Sequence, residues 1–135
     1  MNRHEKYFNI LEKVAQALEP VANARVAAFL VYKRDVIAVG YNKDKTHPFQ
    51  KRHSKNNLAL YLHAETDCIN NALRYYSDEE VSKSSLYILR VKHSDDDHIA
   101  FIRGLAKPCE GCQKCIKRYG IKKVYYSTEE GYDIL

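Results

Sequence analysis

Apolar residues near the start of the chain recur at helical spacing. Tyr7, Phe8, Ile10, Leu11, Val14 and Leu18 share one side of a helix over residues 5–18, and Pro20 closes it. The pattern then changes to continuous apolar, β-rich runs over residues 24–32 and 36–41, split by Lys33-Arg34-Asp35, which reads as a hairpin. Residues 42–57 are polar and basic without periodicity and read as a loop, whereas residues 58–76 return to a helical pattern. Residues 84–91 form a strong strand. Residues 92–105 form a polar connection containing Asp95-Asp96-Asp97, a solvated turn. Residues 109–119 follow as a helix, with Pro108 just before it and Gly120 as its C-terminal cap. Residues 121–127 are a further strand, and the eight residues after it leave a fifth strand short or absent. The order α-β-β-α-β-α-β describes an α/β layered domain, and its last strand-helix-strand unit implies a parallel, right-handed crossover.

Composition narrows the class. A chain of 135 residues with 45% hydrophobic content suits one domain spanning residues 1–135 with a real core. No run of 18 apolar residues occurs, so no membrane span is expected. The N-terminus leads into an amphipathic stretch rather than a secretory segment, so a soluble, cytoplasmic protein is expected. The formal net charge of +5 fits a phosphate-bearing ligand or a nucleic acid, although an excess of that size also suits a solvated surface. The 11 tyrosines alone do not indicate nucleic-acid binding.

Of the four cysteines, Cys109, Cys112 and Cys115 fall within seven residues, which fits metal binding better than a disulfide framework. His63 is the obvious partner of Cys109 and Cys112. One imidazole and two thiolates are three zinc ligands, and three protein ligands leave the fourth tetrahedral position open for water, as in a catalytic zinc site. A structural zinc knot would need a fourth ligand and usually a second tight pair. The two thiolates balance the charge of Zn2+, and both cysteines sit in the first turn of a helix, where free N–H groups favour thiolates. Glu65, two residues from His63, is placed to move protons without ligating the metal. Cys115 and Cys68 read as core residues.

His63-Ala64-Glu65 followed by Pro108-Cys109-Glu110-Gly111-Cys112 matches the known zinc deaminase signature. With these motifs most of the chain, from Gly40-Tyr41-Asn42 to Val124-Tyr125-Tyr126, resembles the cytidine/deoxycytidylate deaminase superfamily, and compact single-domain deoxycytidylate deaminases most of all. The resemblance implies a three-layer α/β/α fold with a mixed sheet of four to five strands and both metal-bearing helices on one face. It implies hydrolytic deamination of a cytosine nucleotide, dCMP to dUMP first, by zinc-activated water with Glu65 as proton shuttle. Asn42 then matches a sugar contact, the Ala64 backbone a pyrimidine-edge contact, and the Lys107 carbonyl a contact to the exocyclic amine. The basic loop 43–53 is the candidate reader of the remaining substrate, with Lys45, Lys51 and Arg52 as phosphate contacts. Small free-cytidine deaminases usually carry Cys where this chain has His63, and the stretch between Glu65 and Pro108 is lengthened by residues 92–105.

Two rival readings stay open. One is deamination of cytosine or adenine in single-stranded DNA or RNA, with an unstacked base in the pocket. The other is a non-catalytic zinc module, against which the presence of Glu65 argues. A homo-oligomer is expected from the resemblance, and the partner is expected to be a small-molecule nucleotide.

Overall fold

In the computed structural model, residues 2–18, 25–46, 61–93 and 100–135 are described, the side chains of residues 44–46 and 61–62 excepted. Helix α1 spans Arg3–Gln16, and the Asn2 side chain caps it by accepting the Glu5 N–H at 2.8 Å. The helix therefore starts two residues earlier than periodicity suggested and ends at Gln16. Pro20 lies outside the described residues. Strands β1 (Arg25–Tyr32) and β2 (Asp35–Tyr41) form the expected antiparallel hairpin.

Three expectations need correction. The stretch 42–57 is not all loop, because β3 (Lys43–Thr46) pairs antiparallel with the short β4 (Tyr61–Leu62). The single helix over 58–76 is replaced by β4 and then α2 (Ala64–Ala72), since His63 is extended at φ −82° and ψ 157° and forms the N-cap. A separate short helix, α3 (Asp78–Ser82), follows, opened by a Ser77–Glu80 capping box. The connection 92–105 also contains structure. β5 (Ser85–His93) runs further than expected, and β6 (Phe101–Gly104) pairs antiparallel with its second half. Asp95, Asp96 and Asp97 lie outside the described residues.

Helix α4 (Glu110–Arg118) then leads to β7 (Lys123–Ser127) and to β8 (Tyr132–Ile134), which is short as expected. Gly120, at φ 72°, turns the chain off α4. The main sheet has six strands rather than four to five, in the order β2-β1-β5-β7-β8 with β6 beside β5. β5 and β7 are parallel, as the strand-helix-strand unit implied.

Side-chain alternation along the strands makes two cores. On one face Ala27, Phe29, Val31, Tyr87, Leu89 and Val91 pack against Tyr7, Phe8, Leu11 and Ala15 of α1. On the other, Ala28, Leu30, Leu86, Ile88, Val124 and Tyr126 pack against Ala64, Cys68 and Ile69 of α2 and Cys115 and Ile116 of α4. The architecture is three-layer α/β/α, with α2 and α4 on one face. Cys115 and Cys68 are buried core residues, as expected. Among the described residues, no helix is long and apolar enough to cross a membrane.

Candidate metal centre

Two helix N-termini converge on one point. His63 is the N-cap of α2 and Cys109 the N-cap of α4, both in extended backbone, and Cys112 stands in the first turn of α4. The His63 Nδ1 lies 3.2 Å from the Cys112 Sγ and 3.5 Å from the Cys109 Sγ. All three donor atoms fall within 4.8 Å of one another. A tetrahedral zinc with bonds of about 2.0–2.1 Å to nitrogen and about 2.3 Å to sulfur places nitrogen about 3.5–3.6 Å from each sulfur and the two sulfurs about 3.8 Å apart. The donor set therefore fits zinc in both chemistry and spacing. Cys109 is exposed and Cys112 buried, so the cluster has an open side.

The electrostatics favour a cation there. The Cys109 thiol is drawn down to about 4, chiefly by its hydrogen bond with Cys112, with the His63 contact adding to the effect. The same Cys109 pairing and burial hold the Cys112 thiol well above the ordinary range. His63 is raised, first by its hydrogen bond with Cys109, against the opposing effect of burial. Thiolate formation is thus favoured at Cys109, and the positive ends of α2 and α4 both face it. Cys115 stays outside the cluster, its thiol pushed up to about 12 by burial.

Glu65, only 6% exposed, sits in the first turn of α2 and interacts with Cys112; burial raises its pKa. With little water around it, the carboxyl group holds a proton more readily than an exposed glutamate does.

The sheet holds α2 in place through β2, its edge strand. Gly40 meets α2 backbone to backbone: a Cβ there would stand 2.3 Å from the Cys68 nitrogen and 2.5 Å from the Ala64 carbonyl oxygen. Buried Asp67 accepts the Tyr41 N–H at 3.1 Å and a bond from Lys43 Nζ at 3.1 Å. The Asn71 amide donates to the Val39 carbonyl at 2.9 Å. Edge-strand polar groups that would otherwise be left open are satisfied by the helix carrying His63 and Glu65.

A second anchor sets the approach to Cys109. The buried Ser127 hydroxyl accepts the Arg90 N–H at 3.0 Å and donates to the Gly104 carbonyl at 2.8 Å, bridging β5 and β6 where β7 leaves off. The Ser127 carbonyl accepts the Ala106 N–H at 2.9 Å, which fixes the chain just before Lys107 and Pro108.

Sequence reasoning singled out His63, Glu65, Cys109 and Cys112, and the fold brings all four together. Ala64 is buried as the first residue of α2, and Lys107 is exposed between β6 and α4. Asn42 is pinned between β2 and β3: its Oδ1 accepts the Val26 N–H at 3.0 Å, and its N–H donates to the Val26 carbonyl at 3.2 Å. Lys45 falls on β3, whose backbone alone is described there, while Lys51 and Arg52 lie outside the described residues. Gly40, Asp67 and Ser127 were missed as positioning residues. An isolated glycine inside a strand was the one available signal, since it marks a bulge or close backbone approach.

The chain matches the family model described as the cytidine and deoxycytidylate deaminase zinc-binding region over residues 1–128. It belongs to that family of zinc-dependent hydrolytic deaminases, and His63, Cys109 and Cys112 are its candidate zinc site. Among solved structures, the apo dCMP deaminase of cyanophage S-TIM5 is 26% identical, with TM-score 0.61, covering 95% of this chain and 86% of that one. The same phage enzyme in complex with dCMP and dUMP aligns at 24% identity and TM-score 0.58, over 95% of this chain and 84% of that one. The cytidine deaminase of Burkholderia pseudomallei shares the fold at 17% identity and TM-score 0.63, over 100% of this chain and 92% of that one. No curated protein sequence matches the chain significantly.

Proposed function

We propose that the protein deaminates a free cytosine nucleotide, with dCMP converted to dUMP as the favoured reaction. The observation that carries this reading is the buried Glu65 carboxyl beside the His63, Cys109 and Cys112 donor set. Similarity to a phage dCMP deaminase, whose structure is also known with dCMP and dUMP, supports the choice of substrate.

His63, Cys109 and Cys112 would hold the zinc, which when bound would supply an acidified water as the nucleophile for the pyrimidine ring. Glu65 takes a proton from the attacking water and gives one to the ring nitrogen, then assists the departure of ammonia. Burial serves this exchange, because it lets the carboxyl hold a proton between the two steps. The Ala64 backbone and the Lys107 carbonyl frame the pyrimidine edge and its exocyclic amine. Asn42 contacts the sugar through the side-chain amide, its oxygen being engaged by Val26. Lys45, Lys51 and Arg52 take the 5′-phosphate. A cytoplasmic homo-oligomer belongs to the same reading.

The test is zinc content together with ammonia release from cytidine, deoxycytidine, CMP, dCMP, dCTP, adenosine and single-stranded oligonucleotides, with Glu65→Ala as control. The expected result is zinc bound in both proteins, with turnover highest on dCMP and lost in the variant. Turnover confined to oligonucleotides, with steep salt dependence, would replace the mononucleotide by a polynucleotide substrate. Zinc binding without turnover on any of them would overturn the assigned reaction.

A further inference from the structure

Strands β5 and β6 carry two arginines that the fold treats differently. Arg103 of β6 is fully engaged. Its Nε donates to Glu12 Oε1 at 3.3 Å, a terminal nitrogen donates to Asn9 Oδ1 at 2.9 Å, and the guanidinium lies over the Phe8 ring, 5.8 Å from its centre. It ties the β5–β6 pair to α1. Arg90 of β5 has no such partners. Its Nε is buried without a hydrogen bond, and no carboxylate among the described residues pairs with its guanidinium. A guanidinium is a permanent cation, and a buried donor of such a group left without a partner is costly. Lys92, the next residue on the same face, is engaged by Glu129.

Alternation and register fix where Arg90 stands. Leu86 and Ile88 of β5 pack in the core beneath α2 and α4, so Arg90 belongs to that same face, one step further along the strand. It lies between Val26 of β1 and Gly104 of β6. Asn42 extends this row on the far side of Val26, through the two bonds that join them. Helix α2 runs back along β2, because Asn71 bonds Val39 and Asp67 bonds Tyr41. Its N-terminus, with His63, therefore points to the Asn42 end. From Gly104 the chain passes through Lys107 to Cys109 at the start of α4. The row Asn42, Val26, Arg90 and Gly104 thus crosses the sheet at the end where the metal donors meet. It lies about 7 Å beyond the row of Gly40, Ala28 and Ile88 that supports the helices.

The side chain is held there by its backbone and its stem. The Arg90 N–H donates to the Ser127 hydroxyl at 3.0 Å. The stem runs along Gly104, where a Cβ would meet Arg90 Cδ at 3.4 Å and Cγ at 3.5 Å. Position is therefore specified while the charge is left unpaired.

We propose that Arg90 binds the 5′-phosphate of the substrate and so separates a nucleotide from a nucleoside. This rests on the mononucleotide reading above, and it adds a cation from the sheet to those of the loop 43–53. The base and sugar of a cytosine nucleotide are neutral, and its phosphate is the anion. The planar fork of guanidinium donors matches phosphate oxygens in pairs. An arginine serving the fold alone would be partnered as Arg103 is.

The test is calorimetric titration of dUMP and of deoxyuridine into the zinc-loaded full chain, beside kcat/KM for dCMP and deoxycytidine. Wild type is expected to prefer each nucleotide over its nucleoside. Arg90→Gln is expected to cut that preference about 10- to 100-fold, with nucleoside binding, zinc content and the Tm of the ligand-free protein no lower. Arg90→Lys is expected to restore part of it. An unchanged preference in Arg90→Gln overturns the proposal, and so does an equal loss for nucleotide and nucleoside, which is the mark of a structural role. Wild-type turnover of dCMP with unchanged kcat/KM in Arg90→Gln removes Arg90 and leaves the reaction standing. Absence of turnover on any mononucleotide overturns the reaction, and the dUMP titration then still decides Arg90: a preference over deoxyuridine that Arg90→Gln loses upholds it, and no preference in the wild type overturns it.

Discussion

Gly40→Ala tests whether the sheet sets the geometry of the metal centre. The added Cβ would stand 2.3 Å from the Cys68 nitrogen, 2.5 Å from the Ala64 oxygen and 2.7 Å from the Cys68 Cα. All three are backbone atoms of α2, so no rotamer change relieves the clash. Ordinary contact begins at about 3.4 Å, which leaves a shortfall of about 1 Å that α2 must absorb by moving off β2. His63 and Glu65 move with α2, while Cys109 and Cys112 stay with α4. Overpacking of this kind costs about 1–3 kcal/mol, or a fall in Tm of about 3–10 °C for a chain of this size. A displacement of about 1 Å at reacting groups costs on the order of 100-fold in turnover. Gly104→Ala is the control, because its Cβ would meet only the flexible side chains of Arg90, at 3.4 Å, and Lys92, at 3.6 Å. That variant is expected to change stability by less than about 1 kcal/mol, upward if at all. The assays are thermal unfolding, zinc affinity and ammonia release from whichever cytosine nucleotide the wild type accepts. Wild-type Tm and turnover in Gly40→Ala would refute the reasoning, and so would equal losses in the two variants.

Glu65→Gln keeps the shape of the side chain and removes its proton chemistry. Turnover is expected to fall about 10²–10⁴-fold with zinc content unchanged and Tm no lower, and a small loss of turnover would remove Glu65 from the mechanism. Asp67→Ala strands the Tyr41 N–H and Lys43 and is expected to cost about 1–3 kcal/mol, whereas Asp67→Asn still accepts from Tyr41 and should lose visibly less in denaturant unfolding. Equal losses would mean that Lys43 alone matters. His4 has its pKa lowered by burial and then by Arg3 and Lys123, so the unfolded chain binds the proton more readily than the folded one. Stability is therefore full above the unfolded value of about 6.5 and is lost as pH falls through the folded value. The decline in Tm between pH 7.5 and 5 should be shallower in His4→Gln than in wild type, and parallel curves would contradict this.

The four residues proposed to carry the chemistry were legible because their identity and spacing are the requirement. A zinc deaminase needs two thiolates, a third ligand that is an imidazole or a thiolate, and one carboxylate, and few other residues can stand in for them. Backbone placement was less legible. Leu58, Leu60 and Leu62 extended the apolar pattern into what looked like one helix, but the chain is extended at Tyr61–Leu62 and turns helical only after His63. β6 is four residues long, too short for alternation to register, and is held by pairing with β5 and by the Ser127 hydroxyl at Gly104.

Gly40, Asp67 and Ser127 stayed hidden for a common reason. Each looks unremarked beside its chain neighbours, and its partner lies 23 to 37 residues away: Cys68 for Gly40, Lys43 for Asp67, Gly104 and Arg90 for Ser127. None of them touches a proton or a metal donor, yet each fixes one side of the frame in which the donors meet. Gly40 and Asp67 hold α2 to the edge strand, and Ser127 holds the chain that enters α4. The signature residues therefore determine which reaction is available, while these three determine how closely the two helix ends approach. A chain keeping the signature but losing the contact at Gly40 would keep its donor chemistry and lose the spacing of about 3.5 Å that zinc requires of it.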